Sequence, residues 1–186
     1  MTTEENIVAE FMRLVEKKPY GEITITEICR ASGVSTKTLY KHFENKEGIV
    51  RAVVRADFVT PVLAIRELLP VDDIKSSTRL MIEKNQSDLW EHRAFYTGLL
   101  KHFGREHLAA IVVDEVSRLN RSIFATYDLS DIECDFAAHY LASAQMSILC
   151  WWFEHHEELS PKEVARLFNV WGFSHFRELE NGKYDR

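Results

Sequence analysis

Apolar positions recur with helical spacing from the start of the chain. Ile7, Phe11 and Leu14 stand at i, i+4 and i+7, with Val8 and Val15 beside them, and draw one apolar stripe along a helix. Lys17-Lys18-Pro19-Tyr20-Gly21 ends it, with cations in the last turn and then proline and glycine. Thr24-Ile25-Thr26-Glu27 has the spacing of a capping box, in which the Thr24 hydroxyl accepts from the amide of residue 27 and Glu27 reaches back. The short helix so begun carries Ile28 and Ala31 and stops at Gly33, a residue suited to the left-handed conformation beyond a helix end. Ser35 caps a third helix, Thr36 to about His42. Asn45 caps a fourth, with Ile49, Val50, Val53 and Val54 on one side.

After Pro61 the pattern lengthens. Amphipathic helices are predicted over about 72–92, 93–103, 105–127, 130–156 and 160–179, separated at Pro70-Val71-Asp72-Asp73, Gly104, Asp128-Leu129-Ser130 and Ser160-Pro161. Ser130 and Ser160 stand at N-cap positions, and Pro161 takes the favoured first helical position. Seven glycines and four prolines in 186 residues are too few for a turn-rich sandwich or barrel, so the fold class is all-α. The pattern contains no internal repeat.

Charge changes this picture at one end. The net charge is −6, yet residues 1–55 carry +1 and the remainder −7. An acidic body with a locally basic start suits a protein that meets a polyanion with one end only. Cys29, Cys134 and Cys150 are odd in number and widely spaced, which argues against a disulfide framework or a zinc finger and fits a reducing compartment. The start, MTTEENIVAEF, has neither a basic n-region nor an apolar h-region, so a cytoplasmic location is expected.

Residues 24–43 have the spacing of a helix-turn-helix: capped helix, Ala31-Ser32-Gly33-Val34 turn, capped helix. The second helix of such a motif lies in the major groove with its N-terminal residues at the base edges. Its exposed side chains are predicted to be Thr36, Lys37, Tyr40 and Lys41, with Ser35 and Thr38 near the start; Leu39 and Phe43 face inward. Hydroxyls, cations and a phenol suit phosphate oxygens and base edges. Ser35 to Lys46 holds three lysines and one glutamate, and the helix starts at Thr24, Ser35 and Asn45 add amides that favour phosphate. The same geometry occurs in proteins that bind no DNA, so spacing alone leaves open a small bundle with a solvated lysine face.

The residues themselves narrow the choice. The run from Thr24 to Glu47 closely resembles the TetR family of bacterial transcriptional regulators, whose pattern passes from a threonine-started helix through A-x-G-V-S to T-L/I-Y-x-H/Y-F-x-x-K. It agrees at Ala31, Gly33, Val34, Ser35, Thr38, Leu39, Tyr40, His42, Phe43 and Lys46. The resemblance implies a DNA-binding domain over 1–50 and a helical effector-binding and dimerisation domain over 51–186. Carried over by position, Tyr40 and Lys46 hold backbone phosphates, and Thr26, Ser35, Thr36 and Lys37 lie at the DNA surface. Lys37 and Lys41 are the base readers, and Thr24, Thr38 and His42 complete the expected set. Lys37 departs from the small residue or glycine of many members, which leaves base preference open.

In the body, Phe136 to Phe153 holds no Asp, Glu, Lys or Arg. Such a run could span a membrane, but His139, Ser143, Gln145 and Ser147 interrupt it. A helix buried on both sides fits better, one side in its own subunit and the other against a partner. The resemblance implies a homodimer in which the last two long helices form a four-helix bundle; Ile148, Trp151, Trp152, Leu167, Phe168 and Trp171 are the candidate interface. The dimer places two recognition helices on a near-palindromic double-stranded operator. The stretch Trp152 to Pro161 is also loosely similar to one subgroup of Gram-positive regulators. Trp90, Phe95, Tyr96, Phe103, Tyr140 and Gln145 either line a cavity for an unidentified small-molecule effector or fill the core. Phe173 and Phe176 extend the final apolar stripe.

Other classes find less support. No GxGxxG, GxxxxGK[ST], HExxH or GxSxG occurs, so neither an enzyme nor a cofactor is expected. His155-His156 beside Glu157-Glu158, and His102 and His107 around Gly104, suggest a metal sensor only superficially. Neighbouring helical positions point about 100° apart and do not chelate one ion. The expected function is a ligand-responsive repressor that rearranges through the helix starting at Asn45. The alternative is a regulator without an effector, acting through a protein partner or as an activator.

Overall fold

The computed structural model describes residues 1–68 and 74–171, with backbone alone at 66–68 and 74–79. Among these residues every regular element is helical. Helix α1 spans Thr3–Lys17, followed by a 3₁₀ turn at Tyr20–Glu22, α2 at Ile25–Ser32, α3 at Thr36–His42 and α4 at Lys46–Val54. Ile7, Phe11, Ile28, Leu39, Ile49 and Val53 from these four helices are buried in a shared core. Removing each such side chain from water is worth roughly 1.5–3 kcal/mol, which lets so short a segment hold its shape.

The chain does not break where Pro61 suggested a change. Helix α4 continues through a π turn at Arg55–Val59 into α5, Thr60–Leu68, so that 46–68 is one continuous helix and residue 50 lies inside it. The Thr60 amide reaches back five residues to the Arg55 carbonyl. Proline lacks the N–H that would serve the Asp57 carbonyl in an α-helix. Asn85 fills that role, donating from Nδ2 to the Asp57 oxygen at 2.7 Å.

The rest comprises α6 (Ile74–Glu91), α7 (Arg93–His102), α8 (Arg105–Phe124), α9 (Asp131–His155) and α10 (Pro161–Trp171). Ser130 and Ser160 cap as expected, each hydroxyl accepting from the amide three residues on, with Glu133 and Glu163 returning the bond. Helix α8 ends at Phe124, short of the predicted 127, because the amides of Thr126 and Tyr127 turn back to Ile123 and Phe124. The expected break at 70–73 and the continuation beyond 171, with Phe173 and Phe176, lie outside the described residues.

Helix α8 packs along α9, α10 lies on α6, and α7 is pressed against α1. A Cβ at Gly98 would stand 3.0 Å from the Val15 carbonyl oxygen, so glycine is what allows α7 to approach the end of α1 this closely. Phe95 meets Phe11 edge-on at 6.2 Å, and Phe103 meets Tyr20 at 4.5 Å. Helix α7 thereby ties the N-terminal helices to the body. Among the described residues no helix is long and apolar enough to cross a membrane.

Candidate nucleic-acid interface

The N-terminal helices position one exposed polar face. Thr24 and Glu27 form the predicted capping box: the Glu27 amide donates to Thr24 Oγ1 at 3.2 Å and the Thr24 amide to Glu27 Oε2 at 2.9 Å. Lys18 also pairs with Glu27, and its hydrogen bond, together with those from Thr24, lowers the Glu27 carboxyl to about 2. Gly33 adopts φ +68°, the left-handed geometry that turns the chain between α2 and α3. Asn6 of α1 donates from Nδ2 to the Ser32 carbonyl at 2.7 Å and pins that turn to the first helix.

Helix α3 is oriented by Leu39 and by Phe43 just beyond it, both buried. Ser35 accepts from the Thr38 amide at 3.0 Å, and the two hydroxyl oxygens lie 2.8 Å apart. Thr36 Oγ1 lies 3.9 Å from the Cys29 thiol. These contacts turn Thr36, Lys37, Tyr40 and Lys41 outward, while Thr38 is half-buried. Among the described residues, Lys37, Tyr40 and Lys41 make no hydrogen bond or ion pair, so their polar groups face solvent unspent. His42 is also at the surface, 3.7 Å from a Glu4 oxygen, and Thr26 is exposed on α2.

Lys46 differs from the expectation of a free phosphate clamp. Its ammonium donates to the carbonyls of Tyr20 at 3.0 Å and Ile23 at 2.6 Å and lies 4.4 Å above the Tyr20 ring. Burial lowers its pKa, and burial together with Glu47 pushes the Tyr20 phenol up to about 12. Two of three ammonium hydrogens are engaged in holding the 3₁₀ turn to α4; one remains for a phosphate.

The body places the other candidates less uniformly. Phe95 and Tyr96 are wholly buried, packed against Phe11 and Phe58, and Phe103 lies between Tyr20, which it meets edge-on, and His107. Tyr140 is half exposed and stacks on Phe136 on the outside of α9, which removes it from any cavity shared with the other five. Trp90 is half-buried against Trp152, and Gln145 Oε1 is buried with no hydrogen-bond partner among the described residues. Two interface candidates also face inward. Trp152 has 0% exposure and its indole donates to the Leu159 carbonyl at 3.0 Å; Phe168 is buried beside Ile82 and Ala165. Neither can meet a partner chain. Ile148 and Leu167 are half-buried, whereas Trp151 and Trp171 are exposed.

Outward on α9 stand Ile132 at 82% exposure, Phe136 at 73% and Tyr140, at i, i+4 and i+8. This apolar crest went unnamed among the interface candidates, although its spacing was visible. Also missed was the attachment of α4 to α8. Buried Glu115 accepts from Arg55 Nε at 2.8 Å and pairs with Arg51 and Arg118, and Asp114 takes Arg51 as well. Two arginines one turn apart at 51 and 55 were the available signal. Among the described residues no three His, Cys, Asp or Glu side chains converge to hold a metal ion.

A family model described as "Bacterial regulatory proteins, tetR family" matches residues 7–53, and one described as "Transcriptional regulator C-terminal region" matches residues 87–171. Together they take in more than two thirds of the chain. The chain belongs to the TetR family. TetR-family proteins are DNA-binding transcription factors and not enzymes. Among curated proteins, none matches this chain by sequence. The TetR-like fold is shared with solved structures of low identity. NalD, the secondary repressor of the MexAB-OprM multidrug efflux pump in Pseudomonas aeruginosa, superposes with a TM-score of 0.60 at 19% identity over 95% of this chain and 96% of that one. The fatty acid degradation regulator FadR from Bacillus halodurans gives 0.57 at 15% over 100% and 98%. The dihydroxyacetone kinase operon activator DhaS gives 0.59 at 18% over 96% and 97%.

Proposed function

We propose that this TetR-family regulator is a cytoplasmic homodimer that represses transcription by occupying a near-palindromic operator and releases it on binding a small-molecule effector. The observation that carries the reading is the uncovered crest Ile132-Phe136-Tyr140 on α9, continued by Trp151. Contiguous apolar surface of this kind marks an interaction site, and a two-fold axis covers it with an identical copy of itself. Trp171 on α10 extends the same interface. The dimer sets two α3 helices about 34–36 Å apart, one helical turn of DNA. Thr36, Lys37, Tyr40 and Lys41 then meet each half-site, with Thr24, Thr26, Ser35, Thr38, His42 and the remaining Lys46 hydrogen at its edges. Residues 1–50 act as the DNA-binding unit and 51–186 as the effector-binding and dimerisation unit.

Trp90 and Gln145 are the effector contacts this arrangement supports best. A buried amide oxygen without a partner costs free energy that a ligand N–H or O–H recovers. The test is selection of bound duplexes from a random library at a stated salt concentration, with sedimentation of the free protein. The expected result is an enriched inverted repeat with half-sites one helical turn apart, bound by a dimer. Enrichment of a single half-site by a monomer overturns the dimeric reading. Thermal-shift hits that leave the duplex bound favour a regulator that answers to a protein partner.

A further inference from the structure

Asp57, with buried Val54 three residues before it and buried Phe58 after it, sits in the π turn with 2% exposure. Three groups from α6, α7 and the cap between them converge on it. Tyr96 donates its hydroxyl to Oδ2 at 2.8 Å; His92 Nδ1 faces both carboxylate oxygens at 2.9 and 3.0 Å; Asn85 donates to the backbone carbonyl of the same residue. A π turn holds one residue more per turn than an α turn and occurs often at functional sites. Closing or shifting it rotates one end of the helix against the other by about 100° and about 1.5 Å, the step of one residue. On the N-terminal side of the turn that helix is α4, which follows α3 across residues 43–45.

We propose that Asp57 is a positioning residue for the DNA-binding helices: with His92 and Tyr96 it holds the π turn in register, and the proton on His92 sets how firmly. The inference rests on the family's DNA binding and on the geometry of this cluster. Asn85 comes from α6, Tyr96 from α7 and His92 from the cap between them, so the latch joins the body to the helix that follows α3. Arg55, in the same π turn, and Arg51, one turn earlier, fasten the helix separately to Glu115 of α8.

Among the described residues, these charges surround the cluster. Helix α6 presents Asp88, paired with Lys84, and Glu91, which both favour the charged imidazole. On α7, Arg93 is turned away over the Trp90 ring, 4.7 Å from its centre. From α8, Glu115 is taken up by Arg51, Arg55 and Arg118. Helix α9 faces Tyr96 with the Phe153 ring at 6.5 Å. The hydrogen bond to Asp57 raises the His92 pKa above its ordinary 6.5, against a smaller loss from burial. Burial pushes the Asp57 carboxyl up, so a neutral imidazole leaves it without the charge that offsets its desolvation. A base raised on folding contributes stability that is complete below its unfolded-state pKa and is lost as pH rises through the folded value. The latch is therefore tight in mild acid and loosens in mild alkali.

The test compares the full wild-type chain with His92→Asn, which keeps a side-chain donor near the Nδ1 position and a favoured helix cap but cannot carry the proton. Melting temperature is read from about pH 6 to about pH 8.5, with affinity for the duplex enriched by selection, across the range where histidine titrates. The wild type is expected to lose melting temperature relative to His92→Asn as pH rises. The ratio of its affinities at the two ends should differ from that of the variant by about threefold or more. His42, beside Glu4, is the same in both chains. Tyr96→Phe removes one donor without a proton switch and should keep the wild-type pH trend. Parallel melting profiles overturn the proton-dependent latch. Diverging profiles with identical affinity ratios overturn the positioning role. If no duplex binds at any pH the DNA reading itself fails and positioning with it, while the melting profiles still judge the latch.

Discussion

Helices α3 and α9 carry the two halves of the proposed function and are built on opposite plans. Helix α3 has seven residues, and Leu39 is the one it buries; its cap at Ser35, the left-handed Gly33 before it and Phe43 after it fix both ends. Helix α9 has 25 residues, buries Cys134, Ala138, Leu141, Ala142, Met146, Leu149, Cys150, Trp152 and Phe153, and still shows Ile132, Phe136 and Tyr140 to solvent. In the short helix one apolar position determines which side faces in, and all the rest but half-buried Thr38 is exposed by elimination. In the long helix nearly every position is apolar from 136 onward, and composition cannot tell core from crest. Strong capping made one helix readable, and a surplus of apolar residues concealed the other's orientation.

The two sides of α9 separate most sharply under mutation. Trp152→Ala, which empties the space against Trp90 and Phe153, should cost about 3–5 kcal/mol in urea unfolding. Phe136→Glu, 16 residues earlier on the outer side, should leave the folded subunit within about 0.5 kcal/mol but abolish the dimer in sedimentation. A dimer that survives Phe136→Glu would move the interface elsewhere and dissolve the contrast.

A smaller effect is expected where the DNA-binding end is fastened to the body. Burial pushes the Glu115 carboxyl up, but the hydrogen bonds and charge of Arg55, with Arg51 and Arg118, outweigh it and hold it below the ordinary value. A depressed carboxyl contributes stability above its unfolded pKa, ordinarily 4.5, and loses it as pH falls through the folded value. Glu115→Gln should cost about 1–2 kcal/mol at neutral pH, less than a fully buried pair because the guanidiniums stay partly in water. Urea midpoints of variant and wild type should converge as pH drops below that range; a constant gap would mean that packing, not charge, is lost.

The smallest effects sharpen the face of α3 itself. Tyr40→Phe should weaken binding to specific and random duplexes alike by about 0.5–1.5 kcal/mol, whereas Lys37→Ala should change which sequences are selected. Lys46→Ala should lower the melting temperature more visibly than the affinity, because its ammonium already serves the Tyr20 and Ile23 carbonyls. Equal losses from all three on every duplex would erase the distinction between phosphate contact and base reading.

Most of the exposed polar face around α3 was legible because its signals are local. The caps at Thr24, Ser35 and Asn45, the glycine at 33 and the pair Leu39-Phe43 each act within about one helical turn, the range over which side chains and backbone compete for hydrogen bonds. The carbonyls that Lys46 already holds were not legible for the converse reason: they lie 23 and 26 residues away, and spacing does not announce a carbonyl across a turn. Pro61 was read as a change of element because proline removes a donor. That the helix continues is owed to Asn85, a residue of another helix.

The amino-acid order alone determined the all-helical class, the helix-turn-helix and the polar residues of its outer face, since periodicity, caps and one glycine are short-range chemistry. Tertiary packing decided which side of α9 became core, that Trp152 and Phe168 turned inward while Phe136 turned outward, and that Asp57 met His92 and Tyr96. Those outcomes depend on which helix lies against which. Apolar burial is non-directional, so a residue's hydrophobicity says that it will be covered and leaves the covering partner to the whole fold.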